Sequence, residues 1–316
     1  MTCEVSGCMN GMDPVDRFII ERLEMNCRTS LQELARLTNI SANEVKKRID
    51  SLEKSGIIEN FIVILSPLIT NEESVIAILD FETEQNEQVL IEILSRNQSV
   101  SMVSRRADER YIVHGIYFNP EELSTLTLHL RELPGIRNIE IYSRFLNYWG
   151  GKIDFTSSHL EILRSLLKDP RMPISEIAKE SGLSTSDIKT IINQMKESEA
   201  VLFTIDTSDD VYEGNIEVLT KVQWNVGKTS REDVLGWLQE EFAQSYIGES
   251  VSASKPTLFF SLLVQHVQEV EIVTQKVKDS GLVSSIEPFI LFPGTKFPDP
   301  RIRKLNELLL ETGFGA

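Results

Sequence analysis

The sequence predicts an α+β protein in which one arrangement, three helices followed by a βαββαβ segment, occurs twice in tandem. When the chain is shifted by 143 residues, the stretch SLQELARLTNISANEVKKRIDSLEKSGII aligns without a gap on PISEIAKESGLSTSDIKTIINQMKESEAV. After each stretch, runs rich in β-branched residues alternate with amphipathic runs in the order βαββαβ. Self-similarity over so long a period indicates a duplication of whole domains.

The composition fits a folded protein with a local rather than a global charge signal. The chain has 316 residues, 41% of them hydrophobic, and a formal net charge of −16. An acidic surface opposes non-specific nucleic-acid binding by the protein as a whole. It still permits binding through a local basic face, because exposed charges more than about 10 Å apart are largely screened at ordinary salt.

The sequence also indicates a compartment. No apolar run approaches the roughly 18 to 20 residues that cross a bilayer, and no leading segment resembles a signal peptide. Cys3, Cys8 and Cys27 show no paired metal-ligand spacing, which fits a reduced cytosol, with a redox role for Cys3 and Cys8 left open. We therefore expect a cytoplasmic protein without a membrane partner.

The first three helices have clear start and stop signals. Asp13 is an N-cap residue followed by proline at the first helical position. Ser30 and Ser41 each stand three residues before a glutamate, which is the pattern of a capping box. Gly56 is suited to end the third helix in a left-handed conformation. Phe18, Ile19, Ile20 and Leu23 are expected to form a buried face of the first helix, and Val45, Ile49 and Leu52 the core stripe of the third. In the second helix, Leu31, Leu34 and Leu37 are spaced helically.

Helix, short helix, tight turn, helix and a β-rich wing, IIENFIVIL, form a winged helix-turn-helix, whose third helix enters the DNA major groove. The core stripe of that helix leaves a basic set on its other faces. We therefore expect phosphate contacts from the cations and base-edge contacts from Asn43 and Lys47. The competing interpretation is a solvated helix face balanced by nearby carboxylates. The candidate DNA-binding residues are Asn43, Lys46, Lys47, Arg48 and Lys54.

The second copy keeps the core and loses charge where DNA would be read. Its third helix has one lysine, Lys189, where the first copy has three consecutive cations, and Glu199 replaces Gly56. We expect it to be a weaker reader or a scaffold, with Ser186, Lys189 and Thr190 as its candidate contacts.

Each βαββαβ segment predicts a four-stranded antiparallel sheet with two helices on one face, the ferredoxin-like arrangement. The exposed edges of such sheets favour pairing, either between the two copies or between chains. Homodimerisation is the preferred expectation, since paired readers recognise DNA at a fixed spacing. The predicted domains are winged helices at 13–66 and 153–206, ferredoxin-like domains at 72–147 and 214–292, and a C-terminal helix at 297–314.

The stretches DPVDRFIIERLEMN, SLQELARLTNISANEVKKRIDSLEKSGII and ELPGIRNIEIYSRF resemble the Lrp/AsnC family of transcription regulators. The resemblance implies a DNA-binding first domain and a second domain, called RAM, that associates through its sheet and often senses an amino acid. In the family, the turn between the two central strands carries a Thr-Gly then Asp-Tyr pattern at the effector site. Here the turn reads SRRADERY, without glycine, and leaves Asp108 and Tyr111 as candidate residues for a small-molecule effector.

Two other function classes share this architecture. Siroheme decarboxylases resemble Lrp/AsnC proteins in fold and use histidine with basic residues near a tetrapyrrole. His114, His129, His159 and His266 do not recur between the copies, however, and show no ligand spacing. A non-catalytic adaptor that uses both sheets for assembly is the third class. The sequence therefore predicts a transcription regulator that is not an enzyme, with double-stranded DNA as its partner and no cofactor or metal.

Overall fold

The duplicated chain folds into two compact units that group like domains from both copies. The computed structural model describes residues 12–145, 150–208 and 214–311. Among them, the first unit takes 12–70, 150–208 and 301–311, and the second takes 71–145 and 214–300. The two winged helices thus share one unit, and the two ferredoxin-like segments share the other. Cys3 and Cys8 lie outside the described residues.

The helices of the first unit repeat at the spacing of the sequence duplication. In the first copy they are α1 (Pro14–Met25), α2 (Leu31–Thr38), α3 (Ala42–Lys54) and the short α4 (Pro67–Thr70). In the second copy they are α7 (Ser157–Lys168), α8 (Ile174–Ser181) and α9 (Thr185–Glu197). α12 (Pro300–Glu311) completes the unit.

The predicted wings form a single strand in each copy, and these two strands pair with each other. β1 (Ile58–Leu65) is antiparallel to β6 (Val201–Thr207). No hairpin forms within either copy among the described residues of this unit, because each strand satisfies its backbone groups across the duplication. A single hydrophobic core results, to which both copies and α12 contribute: Ile19, Leu23, Leu34, Val45, Leu163, Leu166, Ile177, Ile188, Leu305 and Leu309 are among its members.

The second unit contains two βαββαβ halves. The first half comprises β2 (Glu73–Phe81), α5 (Glu87–Leu94), β3 (Val100–Arg105), β4 (Tyr111–Tyr117), α6 (Pro120–Arg131) and β5 (Ile136–Phe145). The second comprises β7 (Ile216–Trp224), α10 (Arg231–Glu241), β8 (Tyr246–Ser252), β9 (Thr257–Val264), α11 (Val267–Asp279) and β10 (Val283–Ile290). Each half has its own core between sheet and helices. The predicted fold class is confirmed.

The two halves join into one nine-stranded sheet, in the order β10-β7-β9-β8-β5-β2-β4-β3-β11. β5 of the first half pairs with β8 of the second half. The short strand β11 (Thr295–Lys296), which follows the second half in the chain, pairs with β3 of the first half. An apolar cluster drawn from both halves covers the face opposite the helices: Ile76, Ile78, Ile112, Tyr142, Leu219, Phe259, Phe289 and Leu291. Pairing between the two copies, one of the two expected outcomes, is therefore found within the chain.

Candidate nucleic-acid interface

Capping residues determine where the helices of the first helix-turn-helix begin and end. The Ser30 and Ser41 hydroxyls accept the backbone N–H of Glu33 and Glu44, each at 3.1 Å, and so begin α2 and α3. Asn39, at φ 58°, supplies the left-handed residue that ends α2 and turns the chain into α3. These local contacts define where α2 ends and where α3 begins.

α3 presents an exposed polar face directly opposite its core. Val45, Ile49 and Leu52 are buried. At 100° per residue, the positions farthest from them form what we call the outer stripe, and all of its members are exposed. The outer stripe consists of Asn43, Lys47, Asp50 and Lys54.

Lys46 flanks the outer stripe and is also exposed. Within the described residues, no carboxylate lies within 4.0 Å of Lys46, Lys47 or Lys54. Their charge is therefore available to an external anion. Asp50 is the one carboxylate on the outer stripe.

Arg48 has a different environment from the lysines beside it. Its Nη1 donates to Asp13 Oδ2 at 2.7 Å and to Asp16 Oδ1 at 2.8 Å, and its Nε lies 3.4 Å from Glu44 Oε1. We call Arg48 with Asp13 and Asp16 the Arg48 clamp. It joins α3 to the N-terminal end of α1, where Asp13 also accepts the N–H groups of Val15 and Asp16.

The arginine and the carboxylates of the Arg48 clamp favour each other's charged forms. The hydrogen bonds to Asp16 and Asp13 raise the pKa of the Arg48 guanidinium. Burial opposes ionisation of Asp13, but the donors around it, namely the Asp16 N–H, Arg48 and the Val15 N–H, hold its pKa below the usual range. Arg48 is expected from the sequence to contact phosphate together with Lys46 and Lys47, whereas in the structure its guanidinium pairs with carboxylates of its own domain.

The second copy replaces the whole clamp with a neutral set. The positions of Asp13, Asp16 and Arg48 become Thr156, His159 and Ile191. Thr156 and His159 contact each other through Oγ1 and Nδ1 at 2.7 Å, and Ile191 packs against the core of the unit. These three positions change together, and this comparison of the copies is the sequence signal that could have revealed the clamp.

The candidate residues of the second reader are exposed on α9. Ser186, Lys189 and Thr190 lie on the surface, and the Thr190 hydroxyl donates back to the Ser186 carbonyl at 3.1 Å. Together with Asn193 and Glu197, Ser186 and Thr190 form the counterpart of the outer stripe. That counterpart has no cation.

The two candidate effector residues have different surroundings. Asp108 accepts from Arg106 Nη2 at 2.7 Å and from Arg110 Nη2 at 2.6 Å, so its charge is used within the turn. Tyr111 is buried in the core between sheet and helices, with its ring edge-on to Phe81 at 5.8 Å. An effector site at Asp108 and Tyr111 therefore stays a prediction.

An ionic network that the sequence did not predict joins the two halves of the second unit. Lys221 Nζ lies 3.0 Å from Glu140 Oε2 and 3.2 Å from Glu287 Oε2. Glu287 also lies 3.6 Å from Arg106, whose guanidinium stacks on the ring of Phe289 at 3.6 Å. This network crosses the duplication and orients one half on the other.

Other reactive groups are dispersed. Within the described ranges, no three His, Cys, Asp or Glu side chains are grouped as a metal ion would require. Cys27 is fully buried, and burial raises the pKa of its thiol to about 12. The same part of the chain contains no helix with the length and apolar character of a bilayer-crossing segment.

Two family models match the winged units. An AsnC-type helix-turn-helix domain matches residues 12–53, and a winged helix-turn-helix DNA-binding domain matches residues 156–201. The AsnC-type match contains Asn43, Lys47 and Asp50 of the outer stripe and ends one residue before Lys54, while the second match covers all three helices of its unit.

Sequence relatives agree with these models. An uncharacterized HTH-type transcriptional regulator of Pyrococcus horikoshii is 28% identical over 127 residues, which is 39% of this chain and 82% of that protein. The HTH-type transcriptional regulator LrpA of Pyrococcus abyssi is 36% identical over 56 residues, 18% of this chain and 40% of that protein. The chain is a relative of the Lrp/AsnC regulators.

A solved structure shares the architecture of the whole chain. The siroheme decarboxylase NirDL superposes with a TM-score of 0.59, covering 95% of this chain and 99% of that one, at 14% sequence identity. At that identity the likeness shows the fold alone, a duplicated array of helix-turn-helix and ferredoxin-like domains.

Proposed function

We propose that this protein is a sequence-specific, double-stranded-DNA-binding transcription regulator of the cytoplasm, without enzymatic activity, in which α3 of the first copy reads DNA. The supporting observation is the exposed outer stripe of α3, with Lys46 beside it, because all of these residues except Lys54 lie inside the segment that matches the AsnC-type helix-turn-helix model. In a helix-turn-helix this helix lies in the major groove.

The residues of α3 divide into three roles. Lys46 and Lys54 hold phosphates through charge, and Lys47 has the position to reach either a phosphate or a base edge. Asn43 contributes a bidentate amide for base recognition. Arg48 acts as a positioning residue, because its guanidinium holds α3 against α1 through Asp13 and Asp16.

A salt titration of DNA binding tests these roles. Each phosphate neutralised contributes roughly −0.9 to the slope of log affinity against log salt. Replacing Lys46 and Lys47 with Ala is expected to reduce the slope and weaken binding to all sequences. Asn43→Ala is expected to reduce discrimination between sequences by about 1 to 3 kcal/mol.

Lys189→Ala is the matched control, since Lys189 is the exposed counterpart of Lys46 on α9. We expect it to change affinity much less. Circular dichroism checks folding, which all these surface changes preserve because none touches the buried face of α3. Unchanged affinity and slope in the Lys46/Lys47 variant would exclude α3 as the reader.

The ferredoxin-like unit is proposed to serve oligomerisation, with a homodimer as the assembly. Pairing of the two copies within the chain already joins several sheet edges. Light scattering at micromolar concentration tests the homodimer, and a single species with the mass of one chain would contradict it.

The enzymatic alternative has a separate readout. The fold shared with NirDL is its support, and that support does not extend to chemistry. A tetrapyrrole enzyme shows a Soret-type absorption after incubation with siroheme and releases carbon dioxide from it. We expect no spectral shift on titration, and a saturable shift would favour the enzyme.

A further inference from the structure

We propose that each chain reads a single DNA half-site, through α3 alone, although its DNA-binding unit is built with two-fold symmetry. The DNA partner of one chain is then an asymmetric site, and an inverted-repeat operator would engage two chains. This inference rests on the proposed DNA-binding function and specifies the kind of site that it recognises.

The first step is the internal symmetry of the unit. In the β1–β6 ladder, Phe61 pairs with Ile205 and Ile62 pairs with Thr204. The duplication makes Phe61 equivalent to Thr204 and Ile62 equivalent to Ile205, because the copies are offset by 143 residues. Exchanging the two copies therefore converts one pair into the other and leaves the register unchanged.

A local two-fold axis consequently passes through the centre of this ladder. Antiparallel pairing about such a point is how two identical subunits make an isologous contact. The shared core, with equivalent leucines Leu23 and Leu166 both fully buried, follows the same symmetry. α3 and α9 are thus equivalent elements of one two-fold body, as two readers are in a symmetric dimer.

The second step is that the exposed faces break this symmetry. The outer stripe of α3 reads Asn, Lys, Asp, Lys, whereas its counterpart on α9 reads Ser, Thr, Asn, Glu. Thr190 removes the charge found at Lys47, and Glu197 reverses the charge found at Lys54. The base-reading amide of Asn43 becomes the short hydroxyl of Ser186, which discriminates poorly because it contacts several bases.

The loss on α9 is confined to the surface. Its core positions Ile188, Ile192 and Met195 are buried as in α3, so helix and packing are preserved. A carboxylate in place of a cation repels the phosphate backbone, and each missing phosphate contact removes its share of counterion release. α9 therefore supports the unit as a folded partner while α3 supplies the binding energy.

The experiment combines site selection with stoichiometry. The full-length protein selects sites from a pool of random duplexes, and footprinting and light scattering of the complex give the protected bases and the number of chains bound. We expect one protected half-site per bound chain. For one chain, affinity for an inverted repeat should exceed that for a single half-site by only roughly twofold, the statistical factor for two equivalent arms.

A variant that restores the symmetry supplies the decisive comparison. Ser186→Asn, Thr190→Lys and Glu197→Lys together copy Asn43, Lys47 and Lys54 onto exposed positions of α9 and leave Asn193 in place of Asp50. This variant is expected to bind an inverted repeat of matching spacing at least about tenfold more tightly than a single half-site, with one chain on both arms. Replacing the same three residues with Ala is the control and should change wild-type binding by less than about twofold.

The outcomes are distinguishable. A wild-type chain that protects both arms of an inverted repeat by itself, or that loses affinity when the three α9 residues become Ala, would show that α9 reads DNA and would overturn the inference. Selection of no sequence at all would instead refute the proposed function, and this inference with it. One half-site per wild-type chain, with both arms bound by a single chain only in the symmetric variant, supports both.

Discussion

Removal of the Arg48 guanidinium tests how α3 is held, and the structure gives the size of the effect. Asp16 is largely buried, with 11% of its side chain exposed, whereas 44% of the Asp13 side chain is exposed. The contact with Asp16 is therefore worth about 1 to 2 kcal/mol and the screened contact with Asp13 about 0.5 kcal/mol. We expect Arg48→Ala to destabilise α3 by about 2 kcal/mol, because it leaves the Asp16 carboxylate close to a second carboxylate without a counter-charge.

Hydrogen exchange of peptides covering residues 42–54 measures this effect locally and separately from the second unit. The second copy supplies a matched control, the triple change Asp13→Thr, Asp16→His and Arg48→Ile, which installs the set found at Thr156, His159 and Ile191. We expect the triple variant to lie within about 0.5 kcal/mol of the wild type, since coupled positions do not add. A loss below about 0.5 kcal/mol in Arg48→Ala, or a triple variant no better than the single one, would refute the clamp.

Three further predictions concern other positions. Burial, with a smaller contribution from Arg144, lowers the pKa of His114 to about 3. Its pKa in the unfolded chain is about 6.5, so the free energy of unfolding should be highest above pH 6.5 and fall by up to about 1.4 kcal/mol per pH unit as the pH drops toward 3. Urea unfolding followed by tryptophan fluorescence measures this pH dependence, which should be weaker in the His114→Gln variant. Cys27 should resist alkylation by iodoacetamide in the folded protein and react after denaturation, as judged by peptide mass spectrometry; reaction in the native state would contradict its burial. Glu199, at φ 54°, and its counterpart Gly56 in the first copy, at φ 81°, both have a left-handed backbone conformation, which favours glycine. In thermal unfolding, Glu199→Gly should therefore stabilise the first unit by up to about 1 kcal/mol, whereas Gly56→Ala should destabilise it.

Much of the local structure could be predicted from the sequence, because caps, periodicity and turn residues act over a few positions. Asp13, Ser30 and Ser41 cap the helices where expected, and Gly56 takes the left-handed conformation. In the second and third helices, only one of the two hydrogen bonds of each predicted capping box is confirmed. There the serine accepts the glutamate N–H as predicted, but the carboxylate of Glu44 lies near Arg48, whose position depends on packing against α1.

The candidate site was predictable to a similar extent. The exposure of Asn43, Lys46, Lys47 and Lys54 follows from helical periodicity once the buried stripe is known. The separate role of Arg48 could not be read in the same way, because its partners belong to another helix more than 30 residues earlier in the chain. Asp108 and Tyr111 are close in sequence but have different surroundings, because Asp108 pairs with arginines of its own turn whereas Tyr111 packs in the core between sheet and helices.

The sequence by itself determined the elements, their order and the duplication, since each depends on local propensity and on the repeat of one pattern. Only the tertiary structure decided how the four domains group: winged helix with winged helix through β1 and β6, and sheet with sheet through β5 and β8. This grouping depends on which strands pair although they are far apart in the chain, and several strands could offer one another similar backbone hydrogen bonds. The complementary side chains of both copies, buried together in one core, select among those partners, and no local pattern encodes that selection.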